Sequence, residues 1–151
     1  MTPSQIQAAA AALREAASTG RFIDPLREQY PQLDEASAYA IQRHNNEIRL
    51  SNGQSRTGCK IGLTSRSVQK QLGVDQPDFG MLFDTMAYGD SEPIDIAQLH
   101  QPRVEAEIAF RFDRDLPPRA AAYEYAEVAE AVTAMPAIEI VDSRFSDYRG
   151  A

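Results

Sequence analysis

The feature that most constrains the fold is the stretch RVEAEIAFRF at residues 103–112. Its apolar residues alternate strictly with charged or small ones, which is the two-residue period of a β-strand. Glu105 and Glu107 therefore point to the same face, with Cβ atoms roughly 6–7 Å apart, and two carboxylates at that spacing can converge on one cation. The alternative is that both glutamates line the wet face of an amphipathic strand. The stretch predicts a strand with an acidic face in either case.

A third glutamate lies in a second predicted strand. Glu139 sits within the run AIEIV at residues 137–141, which is typical of a strand buried on both faces. A buried carboxylate has to be protonated, paired or bound to a metal, because its desolvation is costly. Pairing would be a salt bridge to Arg103 or Arg144. With the two glutamates of the first strand, Glu139 indicates a facial site for Mg²⁺ or Mn²⁺, which prefer oxygen ligands, with further positions open to water or substrate.

The rest of the chain indicates an α+β fold in which helices dominate the first half. The composition changes near Gln76, where turn formers and aromatic residues become frequent. We therefore expect a helical or α/β part over residues 1–75, and the first portion of a β core over 76–151. The expected elements are helices over 4–17 and 34–50, a strand over 58–63, a small helix capped by Thr64 or Ser65 and stopped by Gly73, a loop over 75–90, a strand over 103–112, a helix over 121–134 and a strand over 137–142.

Two further residues are candidates for proton transfer. Lys60 lies in the glycine-flanked apolar stretch GCKIGL at residues 58–63, where a lysine either extends to the surface or is held in a pocket. Asp78 begins a D-F-G triplet, but no glycine-rich phosphate loop or H-R-D element accompanies it, so a kinase is excluded. Asp78 remains either an acid or base near the site or a turn aspartate after Pro77.

Composition narrows the partners and the compartment. The formal net charge of −7 argues against nucleic acid or an anionic membrane as partner, since both require a basic face. No apolar run approaches the roughly 20 residues of a membrane span, and the N-terminus lacks the basic start of a signal peptide. The single cysteine, Cys59, suits a reducing compartment, and we expect a cytoplasmic protein. An acidic protein that handles an anionic substrate needs local positive charge, which a divalent cation supplies.

The sequence stops at SRFSDYRGA, directly after an apolar predicted strand. So few strands would leave sheet edges unpaired. We therefore expect a C-terminally truncated chain.

Four motifs in a fixed order carry a family resemblance, namely GCKIGLTS, QLGVDQPDFGMLFDTMAYGD, PRVEAEIAF and PAIEIVDSR. Together they resemble the 2-keto-4-pentenoate hydratase family of the fumarylacetoacetate hydrolase superfamily. The resemblance implies a helical N-terminal part followed by a mixed-β core, here incomplete, in a protein that forms homo-oligomers. It also implies metal ligands at Glu105, Glu107 and Glu139, an active-site lysine at Lys60 and a functional aspartate at Asp78.

The activity that this resemblance implies is hydration of 2-hydroxypenta-2,4-dienoate to 4-hydroxy-2-oxopentanoate in the breakdown of aromatic compounds. Two alternatives stay open. One is a 4-oxalocrotonate decarboxylase-type enzyme of the same superfamily, and the other is a truncated, non-catalytic paralogue.

Overall fold

The computed structural model describes residues 1–146, which form two compact units. Of the described residues, the first unit comprises Met1–Gln98 and residues 144–146, and the second comprises Leu99–Ser143. The first holds α1 (Pro3–Thr19), α2 (Leu26–Gln29), α3 (Glu35–Ser51), β1 (Arg56–Gly62), α4 (Arg66–Leu72), β2 (Asp78–Phe83) and single 3₁₀ turns at Asp84–Met86 and Ile96–Gln98. The second holds β3 (Arg103–Phe112), α5 (Tyr125–Ala129) and β4 (Val132–Val141). The expected α+β class is confirmed.

The long helices of the first unit begin and end where the local sequence dictates. The α1 helix begins at Pro3, one residue earlier than expected, because Thr2 forms a capping box with Gln5. It ends at Thr19, and Gly20 follows with φ of 70°. The Asp34 side chain accepts a 2.9 Å hydrogen bond from the Ser37 N–H and caps α3 as predicted.

A small apolar core joins these helices. Ala9 and Ala10 of α1 are fully buried, and Ile41 of α3 is 3% exposed. Alanine side chains allow α1 and α3 to lie close together, with Leu26 and Tyr30 completing the buried cluster. This core packs against α3, the helix that also makes polar contacts to β2.

The expected loop over residues 75–90 is wrong in part, because Asp78–Phe83 forms a strand. This strand, β2, pairs antiparallel with β1, and Lys60 lies opposite Gly80 while Gly62 lies opposite Asp78. Since the segment lacks a two-residue hydrophobic period, only its pairing with β1 makes it a strand.

The second unit is built on a ten-pair antiparallel ladder between β3 and β4. The expected helix over 121–134 is reduced to Tyr125–Ala129, and β4 begins at Val132 rather than after Pro136. The reason is cross-strand pairing, since Val132 pairs with Phe112 and Ala134 with Phe110, which overrides the helix preference of an alanine-rich stretch.

The two compact units meet in sequence after Gln98. Pairing of β2 with β1 keeps residues 78–83 in the first unit. The domain boundary expected after residue 75 stays a prediction. Among the helices within residues 1–146, none combines the length and apolar character that crossing a membrane requires.

Candidate metal centre

The register of the β3–β4 ladder brings the three predicted glutamates together. Glu105 lies directly opposite Glu139, and Glu107 lies two residues along the same face, opposite Ala137. The small side chain of Ala137 leaves the space between the Glu107 and Glu139 side chains open. One carboxylate oxygen from each glutamate lies within 4.8 Å of the other two.

These distances suit a single small cation. Three atoms within 4.8 Å of one another always have a common point no more than about 2.8 Å from each. Ca²⁺–oxygen distances are about 2.3–2.6 Å and Mg²⁺–oxygen distances about 2.0–2.1 Å, so side-chain rotations that move each oxygen by less than about 1 Å would complete the contacts. Like charges directly opposite each other destabilise a strand pair, and a divalent cation between them would remove that cost.

The burial expected for Glu139 is wrong. The run 137–141 is not covered on both faces, because Ile138 is 73% exposed and Glu139 is half-buried. Glu107 is also half-buried, and Glu105 is exposed. The feature that indicates a cation site is therefore the convergence of three carboxylates, and not the desolvation of one of them.

The opposite face of the same ladder is entirely apolar. The cross-strand pairs Val104–Ile140, Ala106–Ile138 and Ile108–Pro136 alternate with the acidic face, as the two-residue period requires. A one-residue slip of either strand would move an apolar residue into the acidic cluster, so the register is specified on both faces.

An aspartate at the end of β4 fixes this register next to the glutamates. The Asp142 carboxylate accepts hydrogen bonds from the backbone N–H groups of His100 (3.0 Å) and Gln101 (2.8 Å), and its Oδ2 lies 3.1 Å from His100 Nδ1. Burial alone would raise the pKa of Asp142, but the hydrogen bonds from Gln101 and His100 outweigh it, so the pKa lies below its ordinary value. The segment entering β3 is thereby tied to the end of β4.

A further set of hydrogen bonds, centred on Asp113, holds the two strands together at the other end of the ladder. The Asp113 carboxylate accepts hydrogen bonds from the Thr133 hydroxyl and, at 2.9 Å, from Arg111 Nε, and these contacts hold the pKa of Asp113 below its ordinary value. The Asp113 N–H donates to the Ala131 carbonyl at 2.9 Å. With both ends held, the three glutamates occupy fixed positions along the ladder.

The structure places the two proton-transfer candidates on one face of the β1–β2 pair. Lys60 and Asp78 are diagonal neighbours, each opposite a glycine, and such positions lie about 7–8 Å apart. Lys60 is half-buried and its Nζ lies 3.4 Å from the Ile61 carbonyl oxygen, whereas Asp78 is exposed. Sequence reasoning missed this relation because it did not identify β2.

Helix α3 holds β2 at the residue next to Asp78. The Phe79 N–H donates to the Tyr39 hydroxyl at 3.1 Å, and Gln42 Nε2 donates to the Phe79 carbonyl at 2.9 Å. The outer edge of β2 is therefore satisfied by side chains at this point. A hydrogen bond of 2.6 Å from Gln76 to Glu35 ties the start of β2 to the same helix.

Comparison with solved structures defines the class of fold. The chain resembles 4-oxalocrotonate decarboxylase from Pseudomonas putida G7, in its complex with magnesium and adipate, with a TM-score of 0.88 and 27% sequence identity. The match covers 99% of this chain and 56% of that one. The expected fold type is confirmed over the part that the chain spans.

Comparison with curated proteins is more specific. The chain is 54% identical to 2-keto-4-pentenoate hydratase of Burkholderia vietnamiensis and 53% identical to that of Paraburkholderia phymatum, in both cases over 96% of this chain and 55% of the relative. No protein-family model matches the chain. Over the part that it spans, about half the length of these relatives, the chain is homologous to proteins named 2-keto-4-pentenoate hydratase. The resemblance drawn from the four motifs is confirmed.

Proposed function

We propose that the protein is a hydratase, dependent on Mg²⁺ or Mn²⁺, that adds water to 2-hydroxypenta-2,4-dienoate to give 4-hydroxy-2-oxopentanoate in the catabolism of aromatic compounds. The observation that carries this proposal is the convergence of Glu105, Glu107 and Glu139 within 4.8 Å on one face of the β3–β4 ladder. The names of the curated relatives support the reaction, and the magnesium complex of the structural neighbour supports the type of metal.

The three glutamates would hold the ion through oxygen atoms alone, which suits a hard divalent cation. When bound, the ion supplies Lewis-acid stabilisation of the negative charge that develops on the C2 oxygen of the substrate. Its charge also offsets the net charge of −7 where an anionic substrate has to bind.

The proton steps are assigned to the β1–β2 face. Addition of a proton at C5 and loss of the C2 enol proton convert the dienoate to an unsaturated ketone, and water then adds its hydroxyl at C4 and a proton at C3. Lys60 moves the proton at its Nζ, and Asp78 orients the water or the lysine. Their common face and diagonal positions on the ladder support this division of roles.

The central test is hydration by the Glu107→Ala variant. We expect at least about a hundredfold loss of turnover, because removing one ligand costs several kcal/mol of charge stabilisation and each 1.36 kcal/mol is about tenfold in rate. Consumption of the dienoate is followed with and without added Mn²⁺. Glu130→Ala is the matched control, since Glu130 is 78% exposed in the same unit and lies outside the acidic cluster. Unchanged hydration by Glu107→Ala would remove the metal-site assignment.

A second candidate is decarboxylation of 4-oxalocrotonate, in which loss of CO₂ replaces the addition of water. The TM-score of 0.88 to the decarboxylase favours it. Measuring CO₂ release from 4-oxalocrotonate beside dienoate hydration separates the two reactions, and faster decarboxylation would overturn the hydratase proposal. Failure of both reactions, together with absence of Mn²⁺ binding, would identify a non-catalytic paralogue.

We further propose a homo-oligomer, as the family resemblance implies, and a cytoplasmic location, as the single cysteine and the N-terminal sequence indicate. Size-exclusion chromatography with light scattering tests the assembly, and a monomer at working concentration would contradict it.

A further inference from the structure

We infer that Gly62 is a positioning residue for Asp78, because the missing side chain at Gly62 leaves the space that the Asp78 carboxylate occupies. The inference rests on the proposed function for the meaning of Asp78. The contact itself is independent of that function.

The distances at Gly62 leave no room for a Cβ atom while the Asp78 carboxylate keeps its present position. A Cβ atom built on Gly62 would lie 2.1 Å from Asp78 Oδ1 and 3.1 Å from Asp78 Cγ. Non-bonded carbon and oxygen atoms do not approach that closely. The Asp78 carboxylate therefore lies over Gly62, on the face that also carries Lys60.

Backbone conformation does not explain the glycine. The glycines with positive φ in the described part of the chain are Gly20, Gly53 and Gly73, and Gly62 is not among them. Any residue could adopt the backbone of Gly62, and glycine inside a strand is normally a cost in stability. The absence of a Cβ atom at this position is what allows the neighbouring carboxylate to lie where it does.

Other glycines of the same strand pair behave differently. A Cβ on Gly58 would lie 4.0 Å from Leu82 Cδ1, and one on Gly80 would lie 3.9 Å from Lys60 Cβ, which are ordinary van der Waals contacts. Gly58 lies on the same strand and the same face as Gly62. Gly58→Ala is therefore a matched control that adds the same methyl group without displacing a carboxylate.

Hydrogen bonds to α3 hold β2 at the residue next to the contact. An added methyl group at position 62 would therefore displace the Asp78 side chain and not the backbone. The Phe79 N–H donates a hydrogen bond to the Tyr39 hydroxyl, and the Phe79 carbonyl accepts one from Gln42 of α3. A methyl group at position 62 would rotate the Asp78 side chain away from its present position. A displacement of about 1 Å in a group that orients a reactant can lower the rate by about a hundredfold.

A double-mutant cycle on kcat tests the inference. We expect Gly62→Ala to lower kcat by about 10- to 100-fold, and Gly58→Ala to change it by less than about twofold. In the Asp78→Ala background, Gly62→Ala should cause no further loss, because the group that it displaces is already absent. A loss of equal size with and without the aspartate would overturn the inference, since it would show that Gly62 acts on the strand alone.

The same cycle on the thermal unfolding midpoint separates this inference from the proposed function. Gly62→Ala should lower the midpoint by a few degrees when Asp78 is present, and should leave it unchanged or raise it in the Asp78→Ala background. This measurement needs no turnover. Coupling of the two residues in a protein that hydrates nothing would support the contact and refute the proposed function, whereas an equal shift in both backgrounds would refute the contact.

Discussion

At the residue scale, the acidic cluster consists of three glutamates, and the sequence pattern already placed two of them on one face of a strand. The alternation of residues 103–112 placed Glu105 and Glu107 on one face, and the structure has them there. The sequence could not specify that Glu105 faces Glu139, because the register between two strands depends on contacts distant along the chain. The expectation that Glu139 is fully buried was wrong for a related reason, since burial depends on which elements cover a strand.

The Asp142 carboxylate supports a prediction about pH at the same scale. Its pKa is lower in the folded protein than in the unfolded chain, despite partial burial, because Gln101 and His100 donate hydrogen bonds to the charged form. The stabilisation is therefore present above the unfolded pKa, near 3.8, and is lost as the pH falls through the folded value. We expect Asp142→Asn to lose part of the dependence of the unfolding free energy on pH over the acid range.

Urea unfolding at pH 7, 5 and 3 measures this dependence. Asp115→Asn is the control, because Asp115 is exposed in a loop of the same unit. An Asp142→Asn variant with the same acid-range slope as the unchanged protein would show that these hydrogen bonds do not set the stability.

At the element scale, α1, α3 and α4 were predicted close to their observed bounds, whereas α2 was missed and the expected helix over 121–134 is reduced to α5. The Asp34 cap and the left-handed glycines Gly20 and Gly73 are local signals, and the structure has helices that begin or end at them. Ser65 occupies the N-cap position of α4, but its side chain makes no capping hydrogen bond. The strand β2 and the first residues of β4 were missed because neither has a two-residue hydrophobic period. Both become strands through pairing with partners elsewhere in the chain, which a local pattern does not contain.

Helix α3 supports a prediction about stability. Ile41 is 3% exposed and packs in the cluster with Ala9 and Ala10 of α1. Ile41→Ala should lower the free energy of unfolding by about 2–5 kcal/mol, through lost burial and the cavity that remains. Leu50→Ala on the same helix should cost less than about 1 kcal/mol, because Leu50 is 37% exposed. Urea denaturation followed by circular dichroism compares the variants, and equal losses would contradict the packing of α1 against α3.

At the scale of the whole molecule, each compact unit contributes one antiparallel strand pair with a chemically distinct face. The β1–β2 pair carries Lys60 and Asp78, and the β3–β4 pair carries the three glutamates. The resemblance of the four motifs implied roles for these residues, and those roles stay a prediction. The glycines opposite Lys60 and Asp78 could be related to them only once the pairing of the strands was known.

Titration with Mn²⁺ by isothermal calorimetry tests the central claim most directly. The arrangement of the glutamates predicts one ion bound per chain, with binding lost in both Glu107→Gln and Glu139→Gln, because each substitution removes a charge without changing the shape of the side chain. Glu130→Gln should bind as the unchanged protein does. Absence of a binding isotherm, or an unchanged isotherm for Glu139→Gln, would contradict the claim.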